Sequence, residues 1–279
     1  MNKDIIYIAG LYHSGSTLLD QYLGSKNNIV GLGEIYKYIK DGPEEKCTCG
    51  KNTDDCELWS KLIIPKDKLS TNFEENYKKI IEVTSNQFRG IKYILDSSKC
   101  HPYSREPSYK NFRGLVYFTK YYPHKLKIIH VYRDPRGWVS GIMRREKRSK
   151  RNFLCSILFR SFLMKAIRYI QWIYMHSLIR KFIKENNLDS INISYEELCL
   201  DTPSTLKKIS DFLQIDLNID KLNLKSTNSH ICVGNPSRFN NLDKPKIKYD
   251  VRWLKEKFSF VDYIFSNILK TKIIKYIYK

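Results

Sequence analysis

A chain of 279 residues that is 42% hydrophobic and 13% aromatic is long and apolar enough to bury a core and should fold alone. Its net charge of +20 favours anionic partners, whether a nucleotide, a sulfated or acidic acceptor, nucleic acid or an anionic membrane surface, although lysine-, asparagine- and isoleucine-rich usage also produces part of that excess. Seven cysteines, an odd number in so large a chain, argue against a disulfide framework.

The chain enters an apolar run at 5–9 after four residues, so no signal peptide fits, and the run reads as a strand. A second apolar run with helical spacing covers 16–23. Between them Gly10 and Gly15 stand five apart with Ser16 and Thr17 following, the outline of a phosphate-binding loop with serine in place of its lysine. Backbone N–H groups at the start of the next helix still favour a phosphate there. The missing lysine argues against the usual Mg-ATP or Mg-GTP chemistry.

An extended piece over 28–33 ends in Gly31-Leu-Gly-Glu34, and a helix should begin over 34–38. A loop follows through Gly42-Pro43 to Cys47, Cys49 and Cys56. Those three thiols could ligate zinc if Cys100 or a histidine supplied a fourth ligand, could form a local disulfide, or could stay free. Phe73, Tyr77, Ile80 and Ile81 space a helix that ends near Phe88, before a strand at 92–95 and then Asp96-Ser97-Ser98-Lys99.

The next strand, 126–132, runs into Arg133-Asp134-Pro135-Arg136, where Asp134 can cap and Pro135 suits the first helical position of a helix reaching Met143. The basic run over 144–151 reads as a solvated face or as a surface for an anionic acceptor. One or two long helices over 153–184 should pack on the core rather than lie on a membrane, and charged residues interrupt the stretch too often for it to span one. A cytoplasmic protein is the default.

A strand at 190–193 leads to the capping box Ser194-Tyr-Glu-Glu197, and Thr202-Pro203 opens a further helix. After Leu217 the chain is a polar loop by composition, carrying Arg238 between a Gly-Asn-Pro turn and Phe239, before last helices at 251–258 and 263–278. Strands separated by helices imply an α/β, P-loop-like three-layer fold, a central parallel β-sheet flanked by helices. With no repeat, linker or composition break, one domain over 1–279 is expected.

Seven fragments in this order, GLYHSGSTLL at 10–19, GLGE at 31–34, CTCGKNTDDCELW at 47–59, DSSK at 96–99, RDPRG at 133–137, YEEL at 195–198 and GNPSRF at 234–239, together resemble the sulfotransferase family that uses 3′-phosphoadenosine-5′-phosphosulfate (PAPS). The nearest branch is the bacterial one related to Golgi carbohydrate and tyrosylprotein enzymes. The resemblance implies that His13, Ser14, Gly15, Ser16, Thr17 and Leu18 surround the 5′-phosphosulfate. It also implies that Arg133 and Ser140 hold the 3′-phosphate, with Arg238 a second partner from a closing loop. Ser140 stands seven residues after Arg133 where the family has eight, which turns its side chain by about 100° on a helix. Glu34 then resembles the base, and Lys99 stabilises charge on the sulfonate or leaving oxygen. His13 replaces an arginine of many relatives and could donate to an oxygen or merely orient the site.

The reading is therefore a sulfotransferase that moves a sulfonate from PAPS to a hydroxyl acceptor, a carbohydrate or glycolipid first, giving adenosine 3′,5′-bisphosphate without a metal. No nucleic acid is expected, and peripheral membrane contact is an allowed extra. The rivals are a P-loop small-molecule kinase and a non-catalytic nucleotide-fold protein whose basic surface binds nucleic acid or anionic lipid.

Overall fold

The structure is a computed structural model that describes residues 3–62, 72–100, 112–148, 157–217, 228–240 and 247–269. Five strands, β1 (Asp4–Gly10), β2 (Ile29–Gly31), β3 (Tyr93–Asp96), β4 (Leu126–Tyr132) and β5 (Asp189–Ser194), form one sheet in the order β2-β3-β1-β4-β5. Every pairing is parallel, with Ile6 opposite Leu95 on one side and Lys127 on the other. A central parallel strand is covered on both faces and so reads as an unbroken apolar run, which is what 5–9 shows.

Alternate residues of β1 divide between two cores, as a side-chain period of two requires. Ile5, Tyr7 and Ala9 face one, packed with α2 (Ile35–Asp41), α3 (Phe73–Gln87), α4 (Arg113–Tyr121), α5 (Pro135–Arg148) and α6 (Ile157–Glu185). Ile6 and Ile8 face the other, packed with α1 (Ser16–Gly24), α7 (Tyr195–Leu200) and α8 (Thr202–Leu213). The result is the expected three-layer arrangement. Truncating one of these fully buried isoleucines to alanine should cost about 2–5 kcal/mol.

Local signals account for several element boundaries. Ser194 and Glu197 form a reciprocal capping box at α7, and Asp134 accepts the backbone N–H of Arg136 at 2.8 Å as α5 begins. The helix α6 is a single element of 29 residues with Tyr169, Trp172 and Ile179 buried, and α5 continues past Met143 to Arg148. Among the described residues no helix is long and apolar enough to cross a membrane.

One element was not expected, and one expectation differs from the structure. The α4 helix carries no clear sequence signal, and the helix expected over 251–258 is a short 3-10 turn, Val251–Lys255, after which α9 (Phe260–Ile268) follows. Residues 270–279 and 149–156 lie outside the described residues, and with them the last part of the expected C-terminal helix and the end of the basic run.

The strand order decides where the site lies. From β1 the chain passes to β2 on one side, and after β3 it returns to β4 on the other, so the loops leaving neighbouring strand ends diverge. A crevice opens at the carboxyl end of β1, as in open α/β sheets generally.

Candidate active site

The turn after β1 is shaped by two residues in the left-handed region, His13 at φ 65° and Gly15 at φ 88°. Gly15 is the N-cap of α1 and makes no side-chain cap. A Cβ there would stand 2.6 Å from the Tyr195 ring, and one on Gly10 only 2.4 Å from the carbonyl oxygen of Val131, so both positions require glycine. The first turn of α1 holds no acidic residue. Its N-terminal N–H groups are left for an external anion.

Around that helix end Ser14 Oγ and His13 Nε2 are buried without a hydrogen-bond partner among the described residues. Burial, helped by the positive charges of Lys99, Arg145, Arg133 and Arg144, pushes His13 down to about 4. Its imidazole is neutral at pH 7 and is a hydrogen-bonding group, not a cation. Ser16 is buried and Thr17 half-buried at the same turn, whereas Leu18 packs into the core on the α1 face of the sheet.

The Asp96-Ser97-Ser98-Lys99 segment is pinned between two other strand ends. Ser97 donates its N–H to Gly33 O at 2.8 Å, and Cys100 donates to Gly10 O at 3.0 Å. The Asp96 carboxylate takes the Tyr77 hydroxyl at 2.8 Å and the Ser98 N–H at 2.6 Å, and burial pushes its pKa up to about 6. This bracing directs Lys99 across the crevice to Glu34. The two side chains form an ion pair, each with 8% of its side-chain surface exposed. Gly234 of the late loop makes room for the carboxylate, since a Cβ there would come within 2.7 Å of Glu34 Oε1.

At the end of β4 the guanidinium of Arg133 lies 4.7 Å over the Tyr195 ring and donates to Asp250 Oδ2 at 3.1 Å. Its Nη1 donates to His13 O at 3.4 Å, which ties the fourth strand end to the first turn. Ser140, one to two turns along α5, donates to Glu256 Oε1 at 2.7 Å and accepts from Arg144 at 2.7 Å. Arg144 is also 3.5 Å from Asp250. Arg133, Ser140 and Arg144 are thus joined through two carboxylates, and Arg133 Nε is buried without a partner among the described residues.

Residues 5–219, well over half of the 279, match the family model described as the Sulfotransferase family, a span holding the first turn, Glu34, Lys99 and Arg133. The chain belongs to the sulfotransferase family. Among solved structures it resembles the sulfotransferase domain from the curacin biosynthetic pathway, at 17% identity with a TM-score of 0.60, covering 97% of this chain and 98% of that one. It also resembles the sulfotransferase domain of the Synechococcus PCC 7002 olefin synthase, at 16% identity with a TM-score of 0.52, covering 98% and 96%. At these identities the likeness speaks for the fold. No curated protein matches the sequence.

In this sulfotransferase Arg238 sits apart from Arg133. Its guanidinium is buried, pairs with Glu44 at 2.5 Å and donates to Gly234 O at 3.1 Å, on the β2 side of the crevice. Arg133 is on the β4 side. The backbone carbonyl of Arg238 accepts from Gln21 of α1 at 2.5 Å, so the late loop is docked on the helix that follows the first turn.

Sequence reasoning gave no role to Tyr195, Asp250 and Glu256 and read the run that holds Arg144 as a solvated face or a surface for an anionic acceptor. Asp250 and Glu256 carry no motif and reach α5 from more than a hundred residues downstream. The three cysteines are brought together with His230, whereas Cys100 stays at the end of β3.

Proposed function

We propose that this sulfotransferase moves a sulfonate group from PAPS to the hydroxyl of an acceptor, a carbohydrate or glycolipid first, releasing adenosine 3′,5′-bisphosphate. The observation that carries the reading is the meeting, in one crevice, of an anion-ready helix end bearing unpartnered Ser14 and His13 donors with the buried Glu34 and Lys99 pair. A phosphate group suits the first turn because the helix end supplies N–H donors and no competing carboxylate. The adenosine side would extend toward Arg133, whose free Nε and planar fork suit a second phosphate.

In the reaction the acceptor oxygen forms a bond to sulfur as the bond from sulfur to the bridging oxygen breaks, and the acceptor proton passes to a base. Glu34 is the base in this reading. Lys99, already against Glu34, turns its ammonium toward charge growing on the sulfonate and the leaving oxygen. Neutral His13 offers Nε2–H to the same oxygens and positions the group under attack. The first-turn N–H groups hold the phosphate that departs. Gln or Ala at Glu34 removes the proton acceptor and leaves the turn intact.

Calorimetry with adenosine 3′,5′-bisphosphate against ATP plus Mg²⁺ tests the donor. Binding of the bisphosphate in EDTA is expected. Tight metal-dependent ATP binding without bisphosphate binding would refute the reading in favour of a kinase. Incubation with radiolabelled PAPS and an extract of the source cells, followed by identification of the labelled product, tests the acceptor class, and a labelled peptide tyrosine or small metabolite would replace the carbohydrate.

A further inference from the structure

We propose that Cys47, Cys49, Cys56 and His230 bind one zinc ion, and that this ion clasps the turn 47–56 to the late segment 228–240. The claim is independent of the donor and acceptor, because none of the four residues faces the crevice chemistry described above.

The four ligand atoms lie within 4.8 Å of one another, and three of the four residues are buried. Cys47 Sγ and Cys56 Sγ are 3.8 Å apart, and Cys56 Sγ is 3.2 Å from His230 Nδ1. A tetrahedron with zinc–sulfur bonds of about 2.3 Å and a zinc–nitrogen bond of about 2.0 Å has edges of roughly 3.5–3.8 Å. The side chains therefore stand close to ligand spacing. Three thiols and an imidazole, with no carboxylate ligand, select zinc over magnesium or calcium. Four protein ligands fill the tetrahedron, so the ion has no open position for water or substrate and its role is structural.

The backbone is built to hold the thiols. Gly50, at φ 91°, donates its N–H to Cys47 O at 3.1 Å, and Ser60 donates to Cys56 O at 3.0 Å, so both cysteine-bearing turns are closed by backbone hydrogen bonds that fix where the thiols stand. Behind the histidine, Glu57 Oε1 lies 3.4 Å from Nε2, which makes no hydrogen bond among the described residues, so the carboxylate is near enough to take that N–H once Nδ1 is turned to a metal. Trp59 Nε1 donates to His230 O at 2.7 Å, which anchors the backbone that carries the imidazole beside the turn 47–56.

The clasp has a mechanical purpose. Thr48 Oγ1 accepts from Ile231 N at 2.9 Å, and the same segment continues to Gly234, which borders Glu34, and to Arg238. Zinc would hold together two stretches that are 174 residues apart at Cys56 and His230.

The test is elemental analysis of the full chain purified without chelator or added metal, with about one zinc per chain expected. Cys56→Ser and His230→Ala should each cut that content at least fivefold. Cobalt exchanged into the wild-type chain should give the red d–d bands and near-ultraviolet sulfur-to-metal bands of a tetrahedral thiolate site, a readout that does not depend on any variant folding. Three results would overturn the proposal: a chain that neither retains zinc nor takes up stoichiometric cobalt, full zinc content in a folded Cys56→Ser variant, or an intact mass two hydrogens short that maps to a disulfide within 47–56. Transfer activity is not the readout, so a failed acceptor assignment leaves the outcome legible.

Discussion

Asp250 sets a carboxylate oxygen 3.1 Å from Nη2 of Arg133, the arginine proposed to meet the outer phosphate of the donor. Hydrogen bonds from Arg252, and after them from Arg133, hold the Asp250 carboxyl well below the usual carboxylate range, so it is ionised throughout the working pH range. An incoming phosphate competes with that carboxylate. Asp250→Ala should therefore tighten adenosine 3′,5′-bisphosphate about tenfold, the equivalent of about 1.4 kcal/mol, while Arg133→Met should weaken it by at least as much. Calorimetry on both variants decides, and weaker binding by Asp250→Ala would show instead that the carboxylate serves the ligand.

Glu34→Gln should lower the rate of sulfonate transfer by about 10²–10⁴ with bisphosphate affinity within about threefold of wild type, since it removes a base and leaves the first turn alone. The stability side is separate. Glu34→Ala leaves Lys99 buried beside no carboxylate and should cost about 3–5 kcal/mol, much of which the double variant Glu34→Ala/Lys99→Met should recover. Chemical denaturation of the three chains checks it.

Gly15→Ala should both destabilise the chain by about 1–3 kcal/mol and weaken bisphosphate binding. Its φ of 88° is costly for any side chain, and the new methyl would press on the Tyr195 ring that Arg133 covers. Gly90, where a Cβ meets nothing within 4 Å, is the control position: Gly90→Ala should leave binding unchanged.

Asp20 gives a pH prediction whose sign is fixed by its surroundings. Complete burial pushes this carboxyl up to about 7, against an ordinary value near 3.8. Between those values the folded chain holds a proton that the unfolded chain releases, so the wild-type carboxyl loses stabilising power as pH rises. Asp20→Asn has no such titration. Its stability relative to wild type should improve by about 2 kcal/mol between pH 5 and pH 8, measured by urea unfolding at both. A pH-independent difference would contradict the shift.

Much of the fold was legible because parallel strands and their turns write themselves locally. The apolar run of β1, the aspartate-proline step at α5 and the capping box at α7 each depend on neighbours within four residues. The α4 helix was not, because its Val, Tyr, Phe and Thr content leans toward strand and its helical state rests on burying Leu115, Tyr117 and Phe118 against distant elements. The same split holds in the site. Glu34 and Lys99 announced themselves by their turns, but Arg144 looked like one cation in a basic run because Asp250 and Glu256 lie far along the chain. A histidine was one candidate for the fourth ligand beside the cysteines, but that it is His230 was not legible for the same reason, and the separation of Arg238 from Arg133 follows only from the order of the strands.

Residues 228–230 run parallel to β2 and close its outer side, with Gly31 donating to Asn228 O at 3.0 Å and His230 donating to Gly31 O at 2.7 Å. The family match stops at residue 219, short of this contact. A fragment trimmed to the matched span would keep its turn and its strands yet present a bare row of amides and carbonyls to other copies, an invitation to sheet-to-sheet aggregation. Expression work on this enzyme is therefore best done with the chain carried at least through residue 240, where poor solubility of the shorter piece would reflect an unguarded sheet margin and not a failed core.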